Sequence, residues 1–306
     1  MTMIKDKILS ILNKLVRHTN WYNNMWGVAL KINKLNTFGL QVVNLGSGSG
    51  AHNFNYDGIN LKCFNFALAP QSLVHDYNIL KNYFSYFAKG CTILIPVCPF
   101  SGMVVKYDSS HNFRYYPILH PATIPNFDEA ERTRAYKILR NPFSFMPAAC
   151  IKNIFLDVLR ELKHSIIRHS TSPNLQATAN AMMGCWKNQF SIEDLSAPIS
   201  EDHRKYIDNR KRTLGEMLDF CLERGFKPVI IMPAMHPPLH KQIPEEFDPQ
   251  YINPLLEEAK KRGVTCLDYM RDSRFADDKY YQTALFLNKS GSKKFTQQVL
   301  RDLELI

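Results

Sequence analysis

The sequence predicts an α/β fold, a three-layer α/β/α sandwich on a central parallel sheet of five strands. Three observations carry this. Five short runs are almost continuously apolar, as strands covered on both faces are. Amphipathic helical patterns fall between them. A Gly/Ser turn follows the first run, as happens at the carboxyl edge of such a sheet.

The elements follow in order. Ile4, Ile8, Ile11, Leu12, Leu15 and Val16 recur at helical spacing, with Lys5, Lys7, Lys14 and Arg17 on other faces. Residues 1–20 therefore form an amphipathic helix. It either packs on the domain or lies on an anionic membrane, with peripheral contact through residues 4–17. The strand runs are residues 40–45, 61–68, 92–97, 228–232 and 264–268. Residues 72–87 form a helix with Leu73, Tyr77, Leu80, Tyr83 and Phe84 on one side. Residues 204–224 form another, stopped by Gly225, and residues 254–262 a third, stopped by Gly263. Residues 293–305 close the chain as a helix. Residues 99–200 break the alternation. They are rich in aromatics, Pro and Asn, and hold helical stretches near 129–139 and 151–168. They read as an insertion or lid between strands three and four of one domain spanning 1–306.

Composition narrows the function classes. The chain has 306 residues, 45% hydrophobic and 22% charged, which excludes disordered, collagen-like and coiled-coil chains. No run reaches the ~18 apolar residues that span a bilayer. Lys and Arg exceed Asp and Glu by 38 to 28. The densest basic stretch is Arg204, Lys205, Arg210, Lys211 and Arg212, interleaved with Asp202 and Asp208. It reads as a solvated helix face, without a nucleic-acid-binding signature. The seven cysteines, Cys63, Cys91, Cys98, Cys150, Cys185, Cys221 and Cys266, are odd in number and form no CxxC pair. Reduced thiols in a cytoplasmic protein fit them best. Lys5, Lys7 and Lys14 interrupt any signal-peptide apolar segment.

The most informative stretch is Asn44-Leu45-Gly46-Ser47-Gly48-Ser49-Gly50. Three chemistries use a turn of this kind. A dinucleotide site formally matches Gly46-x-Gly48-x-x-Ala51, but wants an acid at the end of strand two, where Asn65-Phe66-Ala67-Leu68 stands. An S-adenosylmethionine-dependent methyltransferase would use Gly46, Gly48 and Gly50 as a cofactor loop. It wants the same missing acid and a helix directly after the glycines, where residues 51–58 read as a turn. The third is the nucleophile turn of an acyl hydrolase.

The chain as a whole resembles the SGNH (GDSL-like) hydrolases, in particular a bacterial branch with an Asn-Leu-Gly-Ser-type first block. Asn44 to Ser47, then Gly50, Phe54 and Tyr56, resemble its first block. Asn65 to Leu73, with Asp76, Tyr77, Leu80 and Lys81, resemble the second block and its helix. Ile93 to Val97 are similar to the third strand. Phe286-Leu287-Asn288-Lys289-Ser290-Gly291 and Phe295 resemble the terminal His-Leu-Asn-x-x-Gly block. The likeness covers residues 40–101 and 228–300 and leaves out the middle insertion.

The resemblance implies acyl-ester hydrolysis or acyl transfer. A serine after strand one attacks, a His activates it, and an Asp three residues before the His orients the ring. An Asn and backbone N–H groups hold the oxyanion. Matched position by position, the nucleophile falls on Gly48, the Asp on Thr283 and the His on Phe286. The last histidine is His240, the second block lacks its glycine, and no Asn follows strand three.

Substitutes for the lost residues are Ser47 or Ser49 with His236, or His52 just past the turn. Cys98 reads as a buried structural thiol more readily than a nucleophile. His236 and His240 have a metal pair's spacing, but Pro237 and Pro238 lie between them, and no metal is expected. No cofactor is expected either. Two classes stay open. One is a non-catalytic SGNH-type protein binding a glycan, a small acylated ligand or a partner through Gly46, Gly48, Gly50, Gln71 and Cys98. The other is an enzyme: a rebuilt esterase or O-acyltransferase, or the methyltransferase. The branch it resembles often accompanies bacterial surface-polysaccharide modification, so the likeness implies that setting.

Overall fold

The computed structural model describes residues 2–101, 103, 109–166 and 174–306. They divide into two compact units, one of residues 1–36 and 108–172, the other of residues 37–107 and 173–306.

The larger unit is the α/β sandwich. Its strands are β1 (Leu40–Asn44), β2 (Cys63–Asn65), β3 (Phe87–Pro96), β4 (Lys227–Met232) and β5 (Thr265–Asp268). All pairings are parallel, in the order β2-β1-β3-β4-β5, so the sheet has flavodoxin-like order with its switch point beside β1. Alternation sends Val42, Leu94, Val229 and Ile231 to one face, where Phe295, Val299 and Leu300 of the Lys289–Asp302 helix cover them. The Leu73–Tyr83, Glu201–Glu223 and Asn253–Lys260 helices pack on one another, and the last two also touch β4 and β5 respectively. Burying both faces explains the unbroken apolar runs.

Element ends follow hydrogen bonds that composition hides. Strand β2 is three residues long, because the Asn65 side chain turns its oxygen to the Ala67 N–H at 2.9 Å. Strand β3 begins at Phe87, which pairs with Leu40; the register shifts before Val42 pairs with Thr92, a stretch that holds Gly90 at φ +72°. Ser72 caps the Leu73–Tyr83 helix and Ser200 caps the Glu201–Glu223 helix. Asn288 accepts from the Ser290 and Gly291 N–H groups, starting the last helix at Lys289. The Leu175–Phe190 helix, capped by Asn174, belongs to this unit and carries no clear sequence signal.

Arg210 corrects the solvated-face reading of the basic stretch. It is 1% exposed, and its guanidinium donates to the carbonyls of Tyr251 and Pro99. Burial pulls its pKa down to about 9. Lys205 and Lys211 do pair along the helix with Glu201, Asp202 and Asp208.

The smaller unit is helical, with Thr2–Arg17, Glu129–Arg140 and Pro147–Ile166 as its long elements. Leu12 and Val16 turn inward in the first of these. Asn13 Oδ1 accepts from the Phe143 N–H, and Tyr22 donates to the Leu139 carbonyl. Of the stretch expected at 151–168, residues 167 and 168 lie outside the described residues. All seven cysteines are free thiols. Among the described residues no helix is long and apolar enough to cross a membrane.

Candidate functional site

The site forms where β1 ends. Asn44 is fully buried, and its Nδ2 donates to Asn65 Oδ1 at 2.9 Å and to the Gly50 carbonyl at 3.1 Å. Its Oδ1 accepts from the Tyr56 hydroxyl at 3.0 Å. Asn65 Nδ2 reaches the same Gly50 carbonyl at 2.9 Å. These bonds need amide donors, so Asn and not Asp stands at both strand ends.

The chain then turns at Gly46, φ +106°, a conformation that a side chain resists. Its N–H donates to Asp76 Oδ1 at 2.8 Å, and Gln71 Nε2 donates to the same oxygen. Asp76 is buried, and burial pushes its carboxyl up to about 6, with the Gly46 and Gln71 donors pulling it back. Ser47 Oγ accepts from the Gln71 N–H at 3.1 Å. Gly46, Ser47, Gln71 and Asp76 thus form one cluster.

A helix, Gly48–Asn53, starts directly after the turn, where the sequence reads as continued turn. Gly50 explains it. A Cβ there would stand 2.2 Å from the Leu45 carbonyl oxygen and 2.9 Å from Ala67 Cβ. Only glycine lets the helix fold back this tightly.

Gly48 faces Phe286. A Cβ on residue 48 would lie 2.7 Å from Phe286 Cζ. The ring also packs on His52, centroids 4.7 Å apart. Thr283 Oγ1 accepts from the Phe286 N–H at 3.1 Å, closing the turn that presents the ring. Thr178 Oγ1 accepts from the next N–H, Ala284, and Asn53 Oδ1 accepts from that of Leu287.

The substitute candidates have other partners than one another. Ser49 is buried and accepts from Cys98 Sγ at 3.1 Å. Burial pushes the Cys98 thiol up to about 11, so it stays protonated at neutral pH. His236 is buried, and its Nε2 sits 2.7 Å from Asp278 Oδ1. The backbone N–H of His236 donates to the Ala284 carbonyl, which ties it to the Thr283–Phe286 turn. No hydrogen bond joins His236 to Ser47 or Ser49 among the described residues. The His236 Nδ1 is buried, with no hydrogen-bond partner among the described residues. No group of three metal-ligating side chains occurs among the described residues. Sequence reasoning passed over Asp278 and gave Asp76 only a place in the second block. The one signal for Asp76 was its position in the first turn of a helix beside the glycines.

No protein-family model matches the chain, and no curated protein matches it either.

Gly48→Ala is expected to destabilise by about 1–3 kcal/mol, the usual cost of overpacking. Adding Phe286→Leu should recover part of that, because it shortens the opposing ring. A double-mutant cycle by urea unfolding checks this; strict additivity would mean the ring moves aside freely.

Proposed function

We propose that the chain is an SGNH-type protein without catalysis, which binds a glycan or a small acylated ligand at the β1 edge of its sheet. One observation carries the reading. The three positions that the likeness assigns to Ser, Asp and His are neighbours in space, and each has lost its chemistry. Gly48 faces the Phe286 ring, and Thr283 holds the Phe286 N–H from three residues before it. The strand order and the glycine turn after β1 support the same family.

The chemistry then follows. Gly48 has no nucleophilic atom, and the Phe286 ring cannot take a proton. Ser49 has Cys98 and not an imidazole beside it, so nothing lowers the barrier to its attack. The Gly46 N–H, one of the amides such a turn could offer an oxyanion, is already given to Asp76.

Hydrolysis of short-chain aryl esters should stay at buffer background. A turnover on the order of 1 per second, lost in Ser47→Ala or Ser49→Ala, overturns the reading. Gly48→Ser, Thr283→Asp and Phe286→His together should also give little activity, because the oxyanion Asn is absent and such a group is worth about 3–4 kcal/mol. Robust hydrolysis by that triple variant would show a site intact but for its triad.

A further inference from the structure

The Thr2–Arg17 helix has a second apolar face that its packing leaves bare. Leu12 and Val16 turn inward, but Ile4, Ile8, Ile11 and Leu15 form a separate stripe, each 51–65% exposed. The Pro147–Ile166 helix, in the same compact unit, repeats the pattern. Its Ile151, Phe155, Val158, Leu159 and Leu162 share one stripe, and Phe155 is 61% exposed. The two helices touch each other, and both touch the short Pro142–Phe145 helix, whose Phe145 is half exposed. Single exposed apolar residues are ordinary; ten on neighbouring helices need a cover.

Charge names the cover. Exposed Lys7 and Lys14 border the first stripe, and exposed Lys152 borders the second. The unit, residues 1–36 and 108–172, has 15 Lys and Arg against 7 Asp and Glu. It therefore carries eight of the chain's ten net positive charges on about a third of its length. We propose that this unit lies on an anionic lipid bilayer, its apolar stripes sunk into the headgroup–acyl boundary and its bordering lysines against lipid head groups. A second copy is the poorer occupant, since it would press one strongly positive unit on another. Neither helix is built to cross the bilayer, so the contact is an in-plane one.

The test uses the full chain and sedimentation with vesicles. Binding to phosphatidylcholine with roughly 30% phosphatidylserine should be at least about tenfold tighter than to phosphatidylcholine alone. Ile11→Asp and Phe155→Asp should each weaken it by about tenfold or more. Both side chains face solvent, so the urea midpoints should not move. Lys7→Glu with Lys14→Glu should weaken binding to the anionic vesicles by about tenfold and leave binding to neutral ones unchanged. Equal affinity for both vesicles, no binding to either, or unchanged binding by both aspartate variants overturns the proposal. So does a dimer of the free chain that Phe155→Asp dissolves, which would assign the face to a second copy.

Discussion

Gly50→Ala should destabilise the sheet unit by about 3 kcal/mol or more, at or above the upper end for overpacking. Clashes with side chains are often relieved by rotation. Here the new methyl meets the Leu45 carbonyl oxygen at 2.2 Å, in the segment joining β1 to the turn. Moving that carbonyl would disturb the Leu45 N–H bond to Leu94, which joins β1 to β3. It would also shift the Gly50 carbonyl, which both Asn44 and Asn65 hold. Three elements share the strain, so no single adjustment relieves it. Gly184→Ala is the matched control. It lies inside the Leu175–Phe190 helix with open space around it, and alanine there should stabilise by about 0.5–1 kcal/mol. Urea midpoints separate the two. If Gly50→Ala falls within about 0.5 kcal/mol of the parent, the range of an ordinary surface change, this glycine does not set the turn. A ligand-facing role for it would then be the better account.

The sheet was legible because burial on both faces leaves a mark in composition. Val42, Val43, Ile93, Leu94, Ile95, Ile230 and Ile231 are all buried, and apolar runs reported them. The ends of the strands were not legible. Asn65 ends β2 through its own side chain, and a periodicity argument has no access to that bond. Phe87, read in the sequence as the end of the 72–87 helix, instead starts β3, because the helix stops at Tyr83. The Leu175–Phe190 helix was missed for another reason. Its inward residues are Leu175, Ala179, Met183, Trp186 and Phe190, and its outward face includes Ala181 and Met182, so no apolar stripe stands out.

The site was legible as positions and not as contacts. The resemblance assigns Gly48, Thr283 and Phe286 to the triad positions, and the fold brings Gly48 against the Phe286 ring. Residues in different blocks cannot announce their partners. Ser49 with Cys98 spans 49 residues, and His236 with Asp278 spans 42. Both pairs give these candidates partners that the sequence does not announce. The Gly48–Asn53 helix escaped notice because its composition is that of a turn, and only the space around Gly50 permits it.

Asp76 gives the second large effect, and its sign is opposite to that of most carboxylates. Its pKa in the folded chain is about 6, above an ordinary value of 3.8, mainly because burial penalises the charge. Between those values the folded state holds more protons than the unfolded one, so this group's contribution to stability falls as pH rises. Below about pH 3 both states are protonated and the penalty is absent. Above about pH 7 both are ionised and the full penalty applies, about 3 kcal/mol for a shift of this size. Asp219 and Asp272 slope the other way, because Arg262 and Arg274 hold them below the usual range, so the raw stability curve mixes signs. The difference between Asp76→Asn and the parent isolates the group. The amide Oδ1 can still accept from Gly46 and Gln71, and any cost of its unpaired NH2 is the same at every pH. Urea unfolding from about pH 4 to pH 7 should therefore show the Asn variant gaining about 2–2.5 kcal/mol on the parent. A flat difference would mean that Asp76 is solvated. A difference of opposite slope would mean that the two donors outweigh burial, and that Asp76 anchors the Gly46 turn as a stable anion. In the expected case the turn beside Gly48 is held by a carboxylate kept ionised at a cost, and its grip is set by the pH.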